Sequence, residues 1–323
     1  MTEEQMTGRV APDRVRTVAC IGAGVIGGGW VAYFLAHGFR VRAWDPAPDS
    51  ETRLRTLVDA AWPALTELGL APGASVDHLT VTAELADAVG EADYVQESAP
   101  EQLDLKRRLL ADVDAATAGH VVIGSSTSGY GMTAMAADAA GAHRLVVAHP
   151  FNPPYLIPLV EVVGGERTAT DTVTWTADFL RHVGKSVIVM DQEVPGFIAN
   201  RLQEALWREA LHMVANGEAT PAQIDASIID GPGLRWAFHG PMLTFHLAGG
   251  PGGMAHMLDH FGPSLLSPWT RLDAPELTPE LRDSVVAGTE EAAGERSIAD
   301  LVRERDRRLV DVLRVLGKVP GGS

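Results

Sequence analysis

The stretch Gly22-Ala23-Gly24-Val25-Ile26-Gly27, set between a short apolar run and a helical period, constrains this chain more than any other part of its sequence. Three glycines at this spacing permit a tight turn from strand to helix, a close approach of backbone to ligand, and close packing of helix on strand. A helix starting at this point turns free N–H groups and the positive end of its dipole toward whatever lies over the turn, which favours a phosphate. Thr17–Ile21 supplies the strand before the turn, residues 25–37 the helix, and Arg40–Trp44 a second strand ending at Asp45. Gly22, Gly24, Val25, Ile26 and Gly27 are thus expected to cradle a pyrophosphate. Asp45 stands 23 positions after Gly22, where a carboxylate accepts hydrogen bonds from a ribose and repels a 2′-phosphate. NAD is the expected cofactor, with Arg42 nearby leaving NADP open.

Further apolar runs at 79–81, 94–96, 121–123, 145–148, 159–163 and 186–190 alternate with helical stretches such as 105–116. This alternation predicts an α/β fold with a doubly wound, mostly parallel sheet of the Rossmann type. The pattern changes near Pro195. From 197 to 214 the apolar residues Phe197, Ile198, Leu202, Leu206, Met213 and Val214 follow a helical period, which Asn216-Gly217 stops. Thr220-Pro221 with Gln223 reads as a capping box, Thr278-Pro279 as another helix start, and Ser297 with Asp300 as a third. The expected organisation is an N-terminal tail over 1–16, a dinucleotide-binding domain over 17–194 and an all-helical domain over 195–323.

Composition narrows the function. The 323 residues are 46% hydrophobic and 21% charged, enough apolar material for one large or two medium domains with proper cores. A net charge of −16 argues against nucleic acid or an anionic membrane as a partner, since both reward a basic surface. Cys20 is the single cysteine and lies in an apolar run, so it reads as an ordinary buried strand residue. Residues 1–16 lack the apolar stretch of a signal peptide, and no segment reaches the ~18 apolar residues of a membrane span. A cytoplasmic protein is expected. His256 and His260 flank Asp259 at a spacing a metal could use, but no third ligand accompanies them and no metal is expected.

The segment His149-Pro150-Phe151-Asn152-Pro153-Pro154 follows a candidate strand at the end where open parallel sheets hold their ligands. Glu161 comes 12 residues later, and an extended chain of that length would span roughly 40 Å, so the two can meet only if the chain reverses. Asn152-Pro153-Pro154 is suited to such a reversal. A carboxylate paired with imidazole orients the ring and stabilises the cation formed when it takes a hydroxyl proton. The competing reading is a structural histidine beside a solvated glutamate. Ser128 also follows a strand, and either caps its loop or hydrogen-bonds a substrate oxygen.

Taken in order and spacing, residues 22–27, Asp45, Glu101 with Lys106, Ser128, His149 with Glu161, and residues 194–201 resemble the 3-hydroxyacyl-CoA dehydrogenase superfamily from about Thr17 onward. The resemblance implies that His149 is the catalytic base, Glu161 its partner, and Ser128 and Asn200 the groups that bind the reacting oxygen. It implies that Glu101, Lys106 and Ser128 lie near the nicotinamide, and that a helical domain beginning at Pro195 closes over a small 3-hydroxy acid and forms a homodimer. Residues 44–48, 96–101, 204–212 and 268–270 are most similar to a branch acting on a small quaternary-ammonium hydroxy acid. The region 233–247 is also similar to lambda-crystallin and gulonate 3-dehydrogenase, which keeps gulonate, a CoA thioester and a non-catalytic, crystallin-like role open.

Residues 49–85 contain no lysine and only Arg53 and Arg55, a poor match for the phosphates of coenzyme A. A trimethylammonium group needs aromatic faces, for which Tyr130, Tyr155, Trp236, Phe238, Phe245 and Trp269 are candidates. Arg201 or Arg235 could meet a substrate carboxylate.

Overall fold

The computed structural model of the chain describes residues 8–262 and 270–318. Its strands are β1 (Thr17–Ile21), β2 (Arg40–Trp44), β3 (Leu79–Val81), β4 (Tyr94–Glu97), β5 (Val122–Ser125), β6 (Leu145–Pro150), β7 (Leu159–Gly164) and β8 (Ser186–Met190). They form one sheet in the order β3-β2-β1-β4-β5-β6-β7-β8. Each strand is parallel to its neighbours except at β6 and β7, which run antiparallel through the reversal at Asn152-Pro153-Pro154. The expected α/β fold with a mostly parallel sheet is therefore present.

Helices α1 (Val25–Ala36), α2 (Ser50–Leu68), α3 (Leu85–Val89), α4 (Leu103–Ala116), α5 (Met132–Met135) and α6 (Thr170–His182) connect these strands. The period of two along a strand sends alternate side chains to opposite faces, and both faces are filled. Val18, Cys20, Val146 and Ala148 join one core with Trp30, Phe34 and Phe179. Ala19, Ile21, Leu145 and Val147 join the other with Leu110, Val113 and Met132. Helix α1 is buried from Gly27 to Ala36, as its almost uninterrupted apolar sequence requires. Cys20 is buried as expected, and burial pushes its thiol pKa upward, away from reactivity.

The chain divides into two compact units, one reaching Phe197 and resuming at Arg303, the other covering Ile198–Val302. The second unit contains α7 (Ala199–Ala215), α8 (Pro221–Ile229), α9 (Gly233–Trp236), α10 (Pro241–Ala248), α11 (Gly253–Phe261) and α12 (Pro279–Ala293). The capping box forms as read: Thr220 N–H donates to Gln223 Oε1 at 3.0 Å and Gln223 N–H to Thr220 Oγ1 at 3.2 Å. Thr278 accepts from Leu281 N–H, and Ser297 from Asp300 N–H. Helix α13 (Ile298–Val315) follows, and from Arg303 it belongs to the first unit.

Three boundaries differ from the sequence expectation. The C-terminal helix leaves the all-helical domain because Val310 and Leu313 pack on Ala64, Leu68 and Leu156, while Asp306 Oδ2 accepts from Tyr155 Oη at 2.5 Å. The tail is integral from residue 8 onward: Arg9 donates to Thr172 Oγ1 at 2.8 Å, Trp175 Nε1 donates to the Val10 carbonyl at 2.8 Å, and Val15 is buried. Phe197 is not helical. It has a φ of 54° after Gly196 at 72° and is buried in the first unit, because the Pro195-Gly196 turn points it inward. Among the described residues no helix is long and apolar enough to cross a membrane.

Candidate active site

Register brings the functional loops to one edge of the sheet. Ile21 pairs with Trp44 and with Glu97, Glu97 with Ser125, and Ser125 with Val147. Gly22, Asp45, Ser98, Ser126 and His149 therefore emerge together at the carboxyl ends of the strands. The chain winds outward in opposite directions from β1 and β4, so a crevice opens where the loops after these two strands part. It forms a cavity of about 650 Å³ lined by residues 22–26, Asp45, Arg53, residues 98–101, Ser126, Ser128 and His149.

The glycines divide the work of shaping this cavity. Gly22 has a φ of +100°, and a Cβ there would lie 2.7 Å from the Ser98 carbonyl oxygen, so this position is closed by backbone. A Cβ on Gly27 would overlap the Gly22 carbonyl. Gly24 has nothing within 4 Å of the corresponding position, which leaves open space over the N-terminal turn of α1 for a ligand to reach the backbone. Asp45 is fixed by two amides, accepting from Ala23 N–H at 2.7 Å and from Ala47 N–H at 2.8 Å. Arg42 is turned away: its Nε donates to the Asp87 carbonyl at 2.8 Å and its guanidinium meets Glu91 at 3.3 Å. A bare carboxylate beside an open glycine turn fits NAD and gives a 2′-phosphate no partner in Arg42.

The other half of the cavity carries the ionisable groups. His149 and Glu161 are direct partners in the antiparallel ladder, and His149 Nδ1 lies 2.9 Å from Glu161 Oε2. Glu161 is fully buried and the His149 side chain nearly so. Phe151 and Phe197 flank the imidazole, with ring centroids at 4.6 and 5.4 Å. A carboxylate on Nδ1 selects the tautomer protonated there, which leaves Nε2 as the atom able to take a proton. The arrangement can do general base chemistry.

Glu101 organises the Ser128 loop. Its Oε1 accepts from Thr127 Oγ1 at 2.6 Å, Ser128 N–H at 2.9 Å and Gly129 N–H at 3.0 Å, with Ser128 Oγ at 3.3 Å. Partial burial pushes this carboxyl pKa up, but the Thr127 hydroxyl, the Lys106 charge and the two amides together hold it below its ordinary value. Lys106 does not line the cavity. It is buried beneath Glu101, 3.5 Å from Oε2, and its Nζ donates to Glu97 Oε1 at 2.9 Å and to the Ala99 carbonyl at 3.0 Å. The structure thus places Lys106 as a support for the Glu101 loop.

Glu97 itself escaped the sequence reading, although a carboxylate inside a buried parallel strand needs a cationic partner and the chain has only three lysines. Gln96 was missed likewise. Its amide donates to Ser126 Oγ at 2.7 Å, which also accepts from Trp30 Nε1 at 3.2 Å.

The remaining candidates fall in the second unit or are engaged elsewhere. Asn200 lies in the first turn of α7, and Arg201, Arg235, Trp236, Phe238 and Phe245 also belong to the second unit. Tyr155 is committed to Asp306, Tyr130 packs against the second core, and Trp269 falls outside the described residues. His256 and His260 stack at 5.7 Å on α11.

Comparison with known proteins agrees with this geometry. Residues 17–194 match the 3-hydroxyacyl-CoA dehydrogenase NAD binding domain, and residues 196–294 match the 3-hydroxyacyl-CoA dehydrogenase C-terminal domain. An L-carnitine dehydrogenase of Streptomyces coelicolor is 72% identical over 96% of this chain and 97% of its own length. One of Pseudomonas aeruginosa is 54% identical over 93% of each chain. Among solved structures, the NAD-dependent 5-formyl-3-hydroxy-2-methylpyridine 4-carboxylic acid 5-dehydrogenase is similar with a TM-score of 0.80 and 31% identity, covering 94% of this chain and 99% of that one. With the glycine cradle, the Asp45 carboxylate and the His149–Glu161 pair at one end of the sheet, and with both domains matched in sequence, the chain belongs to the 3-hydroxyacyl-CoA dehydrogenase family.

Proposed function

We propose that the chain oxidises the 3-hydroxyl of L-carnitine to 3-dehydrocarnitine with NAD. The observation that carries the reaction is the buried His149–Glu161 pair at the floor of a cavity continuous with the glycine cradle. The substrate follows the name of relatives up to 72% identical. His149 Nε2 takes the hydroxyl proton as the C3–O bond becomes a carbonyl, and Glu161 stabilises the imidazolium that results. Bound NAD supplies the acceptor for the C3 hydride. Ser128, from the loop that Glu101 orders, holds the substrate oxygen in line, and Asn200 is the second group that the family resemblance assigns to that oxygen.

A small substrate suits the region that follows β2 better than a CoA thioester does. Of its two arginines, Arg55 is paired with Glu51 at 2.8 Å and Arg53 donates to the Pro48 carbonyl. A homodimer in the cytoplasm belongs to the same reading. Leu202, Leu206, Trp207 and Phe238 are exposed on the helical unit, apolar surface of the kind a second copy would cover.

NADH formation by the purified protein against L-carnitine, D-carnitine, L-gulonate, L-3-hydroxybutyrate and 3-hydroxybutyryl-CoA tests the proposal. Selective turnover of L-carnitine is expected. Preference for an uncharged acid or the thioester refutes the substrate assignment, and no turnover at all supports the non-catalytic alternative.

A further inference from the structure

The reversal between β6 and β7, residues 151–158, contains three prolines, Pro153, Pro154 and Pro158, which have no N–H to give. Its carbonyls must therefore find donors elsewhere. The Pro153 carbonyl is met by Leu156 and Ile157 N–H at 3.0 and 2.9 Å, and the Pro158 carbonyl by Ser186 N–H at 2.9 Å. The carbonyls of Pro154 and Ile157 are met by one group, the side-chain amine of Lys185, at 3.2 Å for Ile157 and closer for Pro154.

Lys185 is 5% exposed and, among the described residues, has no carboxylate partner. Its Nζ lies 3.7 Å from the ring centroid of Tyr33 and 5.0 Å from that of Trp30, both on α1. These faces and the two carbonyls favour the cation, while burial lowers its pKa to about 7. An amine so costly to bury is displaced by an apolar side chain unless its hydrogen bonds are needed. The same turn is pressed onto α1, since a Cβ on Gly29 would come within 2.7 Å of Pro154 Cδ. Lys185 also immediately precedes β8, in which Ile188 pairs with Glu161.

We propose that Lys185 is a positioning residue for the reaction: by holding the Pro154 and Ile157 carbonyls it fixes the reversal that sets His149 opposite Glu161. The proposal rests on the reading of that pair as the catalytic base. Lys185→Met keeps an unbranched side chain of similar length but removes the donor and the charge, and Lys185→Gln keeps a donor without the charge. Lys185→Met is expected to lower kcat for L-carnitine about tenfold or more, because a small misplacement of a base is enough to do so. The NADH dissociation constant, read by protein fluorescence, stays within about twofold, and Lys185→Gln falls between Lys185→Met and wild type.

In a Glu161→Gln background the loss on Lys185→Met should shrink, because the pair it positions is already broken. A folded Lys185→Met with wild-type kcat overturns the proposal, as does a loss fully additive with Glu161→Gln. If Lys185→Met does not fold, Lys185→Gln decides: wild-type kcat with a lowered melting temperature makes the residue merely structural. Wild-type kcat in Glu161→Gln alone would instead sink the base-pair reading itself.

Discussion

Replacing Glu161 by Gln removes one charge from a fully buried site and leaves the shape of the side chain almost unchanged. Its oxygen can still accept from His149 Nδ1, now 2.9 Å from Glu161 Oε2, so the tautomer and the ring orientation survive. What is lost is the charge that stabilises the imidazolium once Nε2 has taken the substrate proton. A hydrogen bond to a charged group contributes about 1.5–3 kcal/mol. The neutral bond that Gln keeps retains about 0.5–1.5 kcal/mol of this, so about 1–1.5 kcal/mol is lost and, at about 1.4 kcal/mol per factor of ten, kcat should fall about 5- to 12-fold, with burial placing the result toward the upper end. Initial rates of NADH formation at saturating L-carnitine measure this, with NADH binding followed separately to show that the cofactor site is intact. In His149→Ala, turnover should already be low and Glu161→Gln should add little. A folded Glu161→Gln with kcat within about threefold of wild type, or equal losses with and without His149, would refute the argument that the carboxylate acts through the ring.

Other consequences are as sharp. Asp45→Ala should reduce the preference for NAD over NADP in kcat/KM by about tenfold or more, since its carboxylate faces the cavity while Arg42 is engaged by Asp87 and Glu91; an unchanged ratio removes it from cofactor choice. Gly24→Ala should fold normally yet bind NADH weakly, because its Cβ meets only open cavity, whereas Gly27→Ala should lose stability by overlapping Gly22; calorimetry and NADH titration separate the two. Burial lowers the His37 pKa from 6.5 to about 4, opposed by its bond to the Tyr33 carbonyl, with Lys185 adding to the lowering. Between these values the unfolded chain binds the extra proton, so stability falls by an amount on the order of 3 kcal/mol as pH drops through that window. His37→Gln should flatten the loss of melting temperature between pH 6.5 and 4, and an identical pH profile would contradict the assignment.

The parts of this fold legible in the sequence are those governed by local geometry. Strand boundaries at Thr17–Ile21, Arg40–Trp44, Leu79–Val81 and Ser186–Met190 coincide because apolar runs between turn residues fix them. The meeting of His149 with Glu161 was readable because a reversal begun at Asn152-Pro153-Pro154 returns the chain as a ladder centred on Tyr155, in which residues equidistant from Tyr155 face each other. Partners distant in sequence were not readable. An amphipathic period in Ile298–Val315 declares an apolar face without saying that Ala64, Leu68 and Leu156 receive it. Lys185, between Gly184 and Ser186, looks like a solvated charge at a strand start until the proline-rich turn is seen to need its donor. Nor does the sequence around Lys106 announce that its amine is buried against Glu97.

The return of the last helix affects the order in which this protein can be completed during synthesis. Residues up to Phe197 leave the ribosome first and can pair their whole sheet, but the surface of Ala64, Leu68 and Leu156 then has no cover. Val310 and Leu313 arrive only after the entire intervening unit has been translated, roughly 5–20 s later at the usual pace of elongation. During that interval the nascent chain presents an apolar notch, beside the Tyr155 hydroxyl, that its own terminus will later close. A stop codon placed after the second unit would therefore leave the dinucleotide-binding unit unfinished, and exposed to chaperones and proteases at a surface far from the cut in sequence.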